Sequence, residues 1–198
     1  MMSQNDNLSP LLVVLRDLVE WLKASHTPGV VIGGVAASVL GRPRFTQDVD
    51  ALVLLDNNDW AEFLSSGTQL GFVTRISNAL DFATKNRILL LRHESSGIDV
   101  DISLGVLPFE EEAVSSAMWV EVGGVKIPLP PPEDLIIMKA VARRPRDIVD
   151  IESIMDANPN LNVGRIKMWV REFSSVLEMP EILTDLEAIL SHKRKKKL

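Results

Sequence analysis

Cysteine and tyrosine are both absent from this 198-residue chain. Without cysteine there is no disulfide framework and no thiolate-built zinc site. Only three histidines occur, at 26, 93 and 192, too far apart to form a spaced ligand pair, so His93 is not expected to bind metal. No apolar run approaches the roughly 20 residues of a membrane-spanning helix, and no membrane partner is expected. Positive charge is in deficit: 21 Lys and Arg face 27 Asp and Glu, for a net charge of −6. That balance argues against a surface that coats nucleic acid broadly, though it leaves room for a local basic groove. The opening residues are polar and lack the basic start and apolar stretch of a secretion signal, so a cytoplasmic location is the expectation.

What is present suffices for a real core. Apolar residues make up 46% of the chain, and its length suits one compact domain or one domain with a helical extension. Ser9-Pro10 reads as an N-cap followed by proline at the first helical position. Leu11, Leu12, Leu15, Leu18, Val19 and Leu22 then recur at helical spacing up to Ser25. Short apolar runs at 30–32, 48–55, 87–92 and 98–104 read as strands, with helices expected at 35–40, 60–71 and 108–117. Gly123-Gly124 between two short apolar runs signals a hairpin. After Pro130-Pro131-Pro132 the pattern is helical throughout, in four segments. The last seven residues are mostly basic, which is consistent with an RNA-contacting tail or with a solvated helix end.

The most informative stretch is 31–56. An apolar run ends in Gly33-Gly34, a segment of small residues follows, then Arg42, Arg44 and Thr46, and then Asp48-Val49-Asp50 at the head of a second apolar run. Side chains alternate along a strand, so Asp48 and Asp50 share a face, roughly 7 Å apart at Cα. Two acids side by side call for a compensating cation, and hard oxygen ligands suit Mg²⁺. Gly33-Gly34 stands where a strand turns into a helix, a place whose free backbone N–H groups can hold phosphates. The sequence Ile98-Asp99-Val100-Asp101-Ile102 repeats the alternation, with both acids on one face.

This pattern resembles the nucleotidyltransferase superfamily of the DNA polymerase beta type, and within it the AbiEii/AbiGii toxin-like and related minimal nucleotidyltransferases. Those proteins carry Gly-Gly-x-Ala, then Gly-x-x-Arg-x-Thr-x-Asp-x-Asp. Here the residues are Gly33-Gly34-Val35-Ala36, then Gly41, Arg44, Thr46, Asp48 and Asp50. Downstream, Pro132-Glu133-Asp134-Leu135 with Lys139 is similar to the family's Pro-Glu-Asp-Leu-x-x-x-Lys helix. Arg146-Asp147 with Asp150 is similar to its Arg-Asp-x-x-Asp segment.

The resemblance implies an α+β nucleotidyltransferase fold, a small mixed β-sheet flanked by helices, with a catalytic core over 1–130 and a C-terminal helical part over 131–198. It implies transfer of a nucleoside monophosphate from an NTP to an acceptor. Asp48, Asp50 and Asp101 would hold two Mg²⁺ ions, with Asp101 also drawing the acceptor's proton and Asp99 the competing choice for third acid. Gly33, Gly34, Arg44, Thr46 and Lys139 would bind the nucleotide, with Asp147 supporting the lysine or the site. Arg44 could instead pair with a carboxylate of the site, and Thr46 could cap the turn before the strand. The acceptor is left open among a tRNA or other RNA end, a protein and a small molecule. Relatives include toxins of toxin–antitoxin pairs, which adds an antitoxin as a candidate partner. A non-catalytic binding module that keeps the fold is the competing class.

Overall fold

The structure, a computed structural model, describes residues 9–196, with side chains described through 192. The side chains of the basic run at 193–198 lie outside the described residues. The chain divides into two compact units: Met1–Ala36 with Arg44–Pro130, and Ala37–Pro43 with Pro131–Leu198.

The first unit is built on a five-stranded sheet in the order β1-β2-β5-β4-β3. Its strands are β1 (Gly29–Ile32), β2 (Asp48–Leu54), β3 (Phe72–Thr74), β4 (Ile88–His93) and β5 (Ile98–Gly105). The sheet is mixed: β2 and β5 run parallel, and the other neighbours are antiparallel. Val49, Ala51, Val53, Leu89, Leu91, Val100, Ile102 and Leu104 point to one face and are almost wholly buried. Helix α1 (Pro10–Ala24) packs on that face. Trp21 stacks on Phe63 at 4.1 Å and Phe72 at 4.9 Å between ring centroids, and its indole N–H donates to Ser66 Oγ at 2.9 Å. His93 is buried there too. Its Nε2 lies 3.1 Å from Asp17 on α1 and its Nδ1 lies 2.9 Å from Ser96 Oγ, so both ring nitrogens have partners within the core.

The sequence expectations meet these elements with local differences. Ser9 stands at the N-cap position, but its side chain makes no capping bond. Its backbone carbonyl instead accepts from Leu12 and Val13. Helix α2 (Gly33–Leu40) begins at Gly33 itself, two residues earlier than its pattern suggests. Residues 57–59 form a 3₁₀ turn capped by the Asp56 carboxylate ahead of helix α3 (Trp60–Thr68). The three-residue strand β3 and helix α4 (Ala79–Asn86) have no counterpart in the apolar pattern. Helix α5 (Pro108–Ser115) leads to the hairpin β6 (Met118–Val122) and β7 (Val125–Leu129), a separate two-stranded sheet turning at Gly123-Gly124.

The second unit holds helices α6 (Pro132–Ala142), α7 (Pro145–Ala157), α8 (Val163–Val176) and α9 (Glu181–Lys196). Relative to a simple division after Pro130, the segment Ala37–Pro43 is the exception. Its bonds explain why: the Arg42 backbone N–H donates to Ser153 Oγ at 2.7 Å, Arg42 pairs with Asp156 at 3.0 Å, and Asn158 donates to the Leu40 carbonyl at 2.8 Å.

Trp21 joins α1, α3 and β3 in one aromatic stack, so Trp21→Ala leaves a large cavity. It is expected to cost about 3–5 kcal/mol, measured as a lowered denaturation midpoint in urea at unchanged slope.

Candidate active site

The register between β2 and β5 builds the site. Asp48 stands opposite Asp99, and Asp50 opposite Asp101. Lateral neighbours in a sheet project to the same side, so four carboxylates gather on the face opposite the buried core. The adjoining rows complete the pattern. One runs Leu90, Asp101, Asp50, Ile32, and the other runs Val73, Arg92, Asp99, Asp48.

The Gly33-Gly34 turn lies against this face. Gly33 has φ +63°, in the left-handed region that glycine enters at little cost. A Cβ on Gly33 would overlap the Asp50 carboxylate. A Cβ on Gly34 would meet Thr46 Oγ1 at 2.6 Å and an Arg44 guanidinium nitrogen at 3.1 Å. The absence of side chains therefore lets the backbone at the start of α2 approach Asp50, Thr46 and Arg44. Thr46 donates its hydroxyl to Asp48 Oδ1 at 3.0 Å, so it caps the entry to β2 and also orients the first acid. Arg44 donates to the Phe45 carbonyl at 3.3 Å.

Two arginines outside the motif serve the second pair of acids. Arg75 Nη1 donates to Asp99 Oδ2 at 3.0 Å, and its Nη2 bonds Asp101 Oδ1. Arg92 Nε donates to Asp99 Oδ1 at 2.7 Å. The Arg92 hydrogen bond, opposed by some desolvation and aided by Arg75, holds the Asp99 carboxyl below its ordinary range. Asp101 goes the other way. Burial raises its proton affinity, Asp48 and Asp99 raise it further, and Arg75 offsets only part of this.

Among the described residues no three His, Cys, Asp or Glu side chains are drawn together tightly enough to enclose a metal ion. The donor set nevertheless suits a hard divalent cation, since it consists of carboxylates on one face. The like-charge pressure on Asp101 is of the kind a cation relieves.

Lys139 belongs to the second unit, where its ammonium is engaged by two carboxylates. Lys139 is 3% exposed. Its ammonium donates to Asp147 Oδ1 at 3.0 Å and to Asp150 Oδ2 at 2.7 Å. Both acids are buried as well, and Asp147 also accepts from the Arg144 backbone and guanidinium. In the Pro-Glu-Asp segment, Asp134 is 1% exposed and takes two bonds from Arg165 on α8, while Glu133 accepts from the Asn162 backbone.

Sequence reasoning missed Arg75, Arg92 and Phe45. Phe45 sits inside the motif and is 82% exposed. Arg92 was legible in principle, since it lies at alternating spacing on the expected third strand. Arg75 was not, because its position depends on β3.

This mixed sheet with its acidic face agrees with the fold expected from the motif. Over residues 13–185 the chain matches the family described as nucleotidyl transferase of unknown function (DUF2204), and it belongs to that family. Among solved structures it is similar to an antigenic nucleotidyltransferase-like protein from Paracoccidioides brasiliensis, at 19% identity over 90% of this chain and 93% of that one, with a TM-score of 0.54. It is similar to the antibiotic-resistance factor ANT(2'')-Ia, at 15% identity over 88% and 97%, TM-score 0.60. It is also similar to the lincosamide antibiotic adenylyltransferase LnuA in its lincomycin-bound form, at 14% identity over 77% and 100%, TM-score 0.54. No curated protein matches the chain.

Two predictions concern the Lys139 cluster. Lys139→Met removes the ammonium shared by two buried carboxylates, Asp147 and Asp150, and is expected to destabilise the chain by about 3–5 kcal/mol, read by chemical denaturation. The second is a pH dependence. Burial opposes ionisation of Asp147, but hydrogen bonds from Arg144 and Lys139 and their charges outweigh it, so the carboxyl titrates below its ordinary 3.8. Its stabilising contribution is therefore complete above that value and is lost as pH falls through the lower folded-state value. Melting temperature against pH should fall in this acid window for the parent, and less steeply in Asp147→Asn.

Proposed function

We propose that the chain moves a nucleoside monophosphate from an NTP to the hydroxyl of an acceptor, with Mg²⁺. The observation that supports this best is the in-register acidic face beside the Gly33-Gly34 turn. Asp48, Asp50 and Asp101 would hold Mg²⁺, which when bound stabilises negative charge on the reacting oxygens. In the reaction the acceptor oxygen bonds to the α-phosphorus. The bond from that phosphorus to the bridging oxygen breaks, and pyrophosphate leaves. The acceptor proton passes to a carboxylate, and Asp101 suits this role because Arg75 engages only its Oδ1. Backbone N–H groups at Gly33 and Gly34, with Arg44, are proposed to hold the phosphates. Thr46 sets Asp48. Lys139 is assigned to the stability of the helical unit and not to the nucleotide.

For the acceptor we favour a hydroxyl-bearing small molecule over an RNA end or a protein. The net charge of −6 and four carboxylates on the reacting face disfavour a polyanion. Phe45, within the motif and exposed, is proposed as an apolar surface for a ring of the acceptor or the base.

The test is incubation with labelled ATP, CTP, GTP and UTP, Mg²⁺, and separate pools of RNA, protein and small metabolites. Label is expected in the small-molecule pool, and label confined to RNA or protein would reassign the acceptor. Asp48→Asn with Asp50→Asn is expected to lower transfer at least about 10³-fold, from several kcal/mol of charge stabilisation at about 1.4 kcal/mol per tenfold. The same double variant should melt no lower than the parent, because it removes like-charge repulsion. Transfer that survives in it would place the metal elsewhere.

A further inference from the structure

Arg75 follows the last residue of β3, and its backbone N–H donates to the Leu90 carbonyl at 2.9 Å, which carries the β3–β4 ladder one step further. It therefore enters the cross-sheet row of Leu90, Asp101 and Asp50 and reaches over Leu90 to the acids of β5. Its two terminal nitrogens divide between Asp99 and Asp101. Asp99 has both oxygens engaged, one by Arg75 and one by Arg92. Asp101 has only Oδ1 so engaged, and among the described residues its Oδ2 accepts no hydrogen bond.

This asymmetry separates the duplicated acids. Asp99 is anchored between two guanidiniums and serves to hold Arg75 in place. Asp101 keeps one oxygen for the reaction. A guanidinium stays charged at every pH a protein meets, and its planar fork matches two carboxylates at once. The positive charge at this end of the face is thus fixed, directional and present before any ligand arrives.

We propose that Arg75 is a built-in counter-cation at the Asp99–Asp101 end of the acidic face, supplying charge that a second divalent ion would otherwise supply, so that the chain takes up one divalent ion, with Asp48, Asp50 and the remaining oxygen of Asp101, and not two. The inference rests on the nucleotidyl-transfer reading above. A second dication would have to approach a fixed positive charge and compete for an oxygen that Arg75 already holds. Arg75 is in this view a positioning residue: it sets the Asp101 carboxylate and supplies the charge that would otherwise be recruited from solution.

The test uses Mn²⁺ alone as the probe, counted by the loss of its free-ion electron paramagnetic resonance signal on titration with the full chain. One Mn²⁺ per chain is expected for the parent and two for Arg75→Met, with Arg75→Lys remaining at one because it keeps the charge. Asp48→Asn with Asp50→Asn should lose the single ion of the parent. Two Mn²⁺ bound by the parent, or an unchanged count in a folded Arg75→Met, would overturn the role of Arg75 while leaving the acidic face as a cation site. No Mn²⁺ bound by the parent or by Arg75→Met would overturn the one-ion site, whereas the nucleotidyl-transfer reading itself stands or falls on the labelled-NTP assay. The parent's count alone decides if Arg75→Met does not fold.

Discussion

The parallel pairing of β2 with β5 is the constraint on which the acidic face depends. It sets Asp48 beside Asp99 and Asp50 beside Asp101 without any contact between the acids to favour it. The opposite faces of the same strands hold the register. Val49, Ala51 and Val53 on β2, with Val100, Ile102 and Leu104 on β5, are buried almost completely. A slip of one residue would turn every one of these side chains outward and drive the acids into the core. Apolar burial on one side thus fixes an arrangement of like charges on the other that would not assemble by itself. Burial first, and then the neighbouring Asp48 and Asp99, raise the proton affinity of Asp101, and Arg75 offsets part of this.

The helical unit meets a related problem by a different route. Asp134, Lys139, Asp147 and Asp150 are all buried, and each finds a partner within the unit. Buried ion pairs are weak evidence of net stabilisation, because desolvation offsets much of the attraction. They are strong evidence of mutual dependence, since removing one member strands the others. The segment that resembles the family's lysine and aspartate motif is therefore legible as a packing device: α6 supplies the cation and the first turns of α7 supply the anions. Arg143 extends the same logic to α9 through Glu181 and Asp185.

Much of this was legible in the sequence, and the exceptions share a cause. The strands bearing Asp48, Asp50, Asp99 and Asp101 announce themselves by acids alternating with apolar residues at 48–50 and 98–102, and by the apolar run that follows Asp50. The Gly33-Gly34 turn is signalled by its place between an apolar run and a run of small residues. By contrast β3 is three residues long, too short to show a period, and α4 has a mixed polar surface. Once β3 is hidden, Arg75 reads as an ordinary loop residue, although its guanidinium bridges Asp99 and Asp101. The fate of Lys139 was hidden for a similar reason. Its apolar neighbours show that the charge needs an anion, but only the packing of α6 on α7 shows that the anions are Asp147 and Asp150.

The Gly33-Gly34 turn connects the two halves of the proposed chemistry, and close packing rather than chain flexibility makes that connection. Gly33 needs its positive φ, but the tighter requirement is space: any side chain there would occupy the position of the Asp50 carboxylate. Gly34 in turn makes room for Thr46 and Arg44, and Thr46 orients Asp48. The backbone that would face phosphates is thereby set against both acids of β2, one directly and one through a threonine. A displacement of the turn would be transmitted to the carboxylates within a single van der Waals contact. Phosphate binding and cation binding, as proposed for this site, would for that reason be properties of one packed unit.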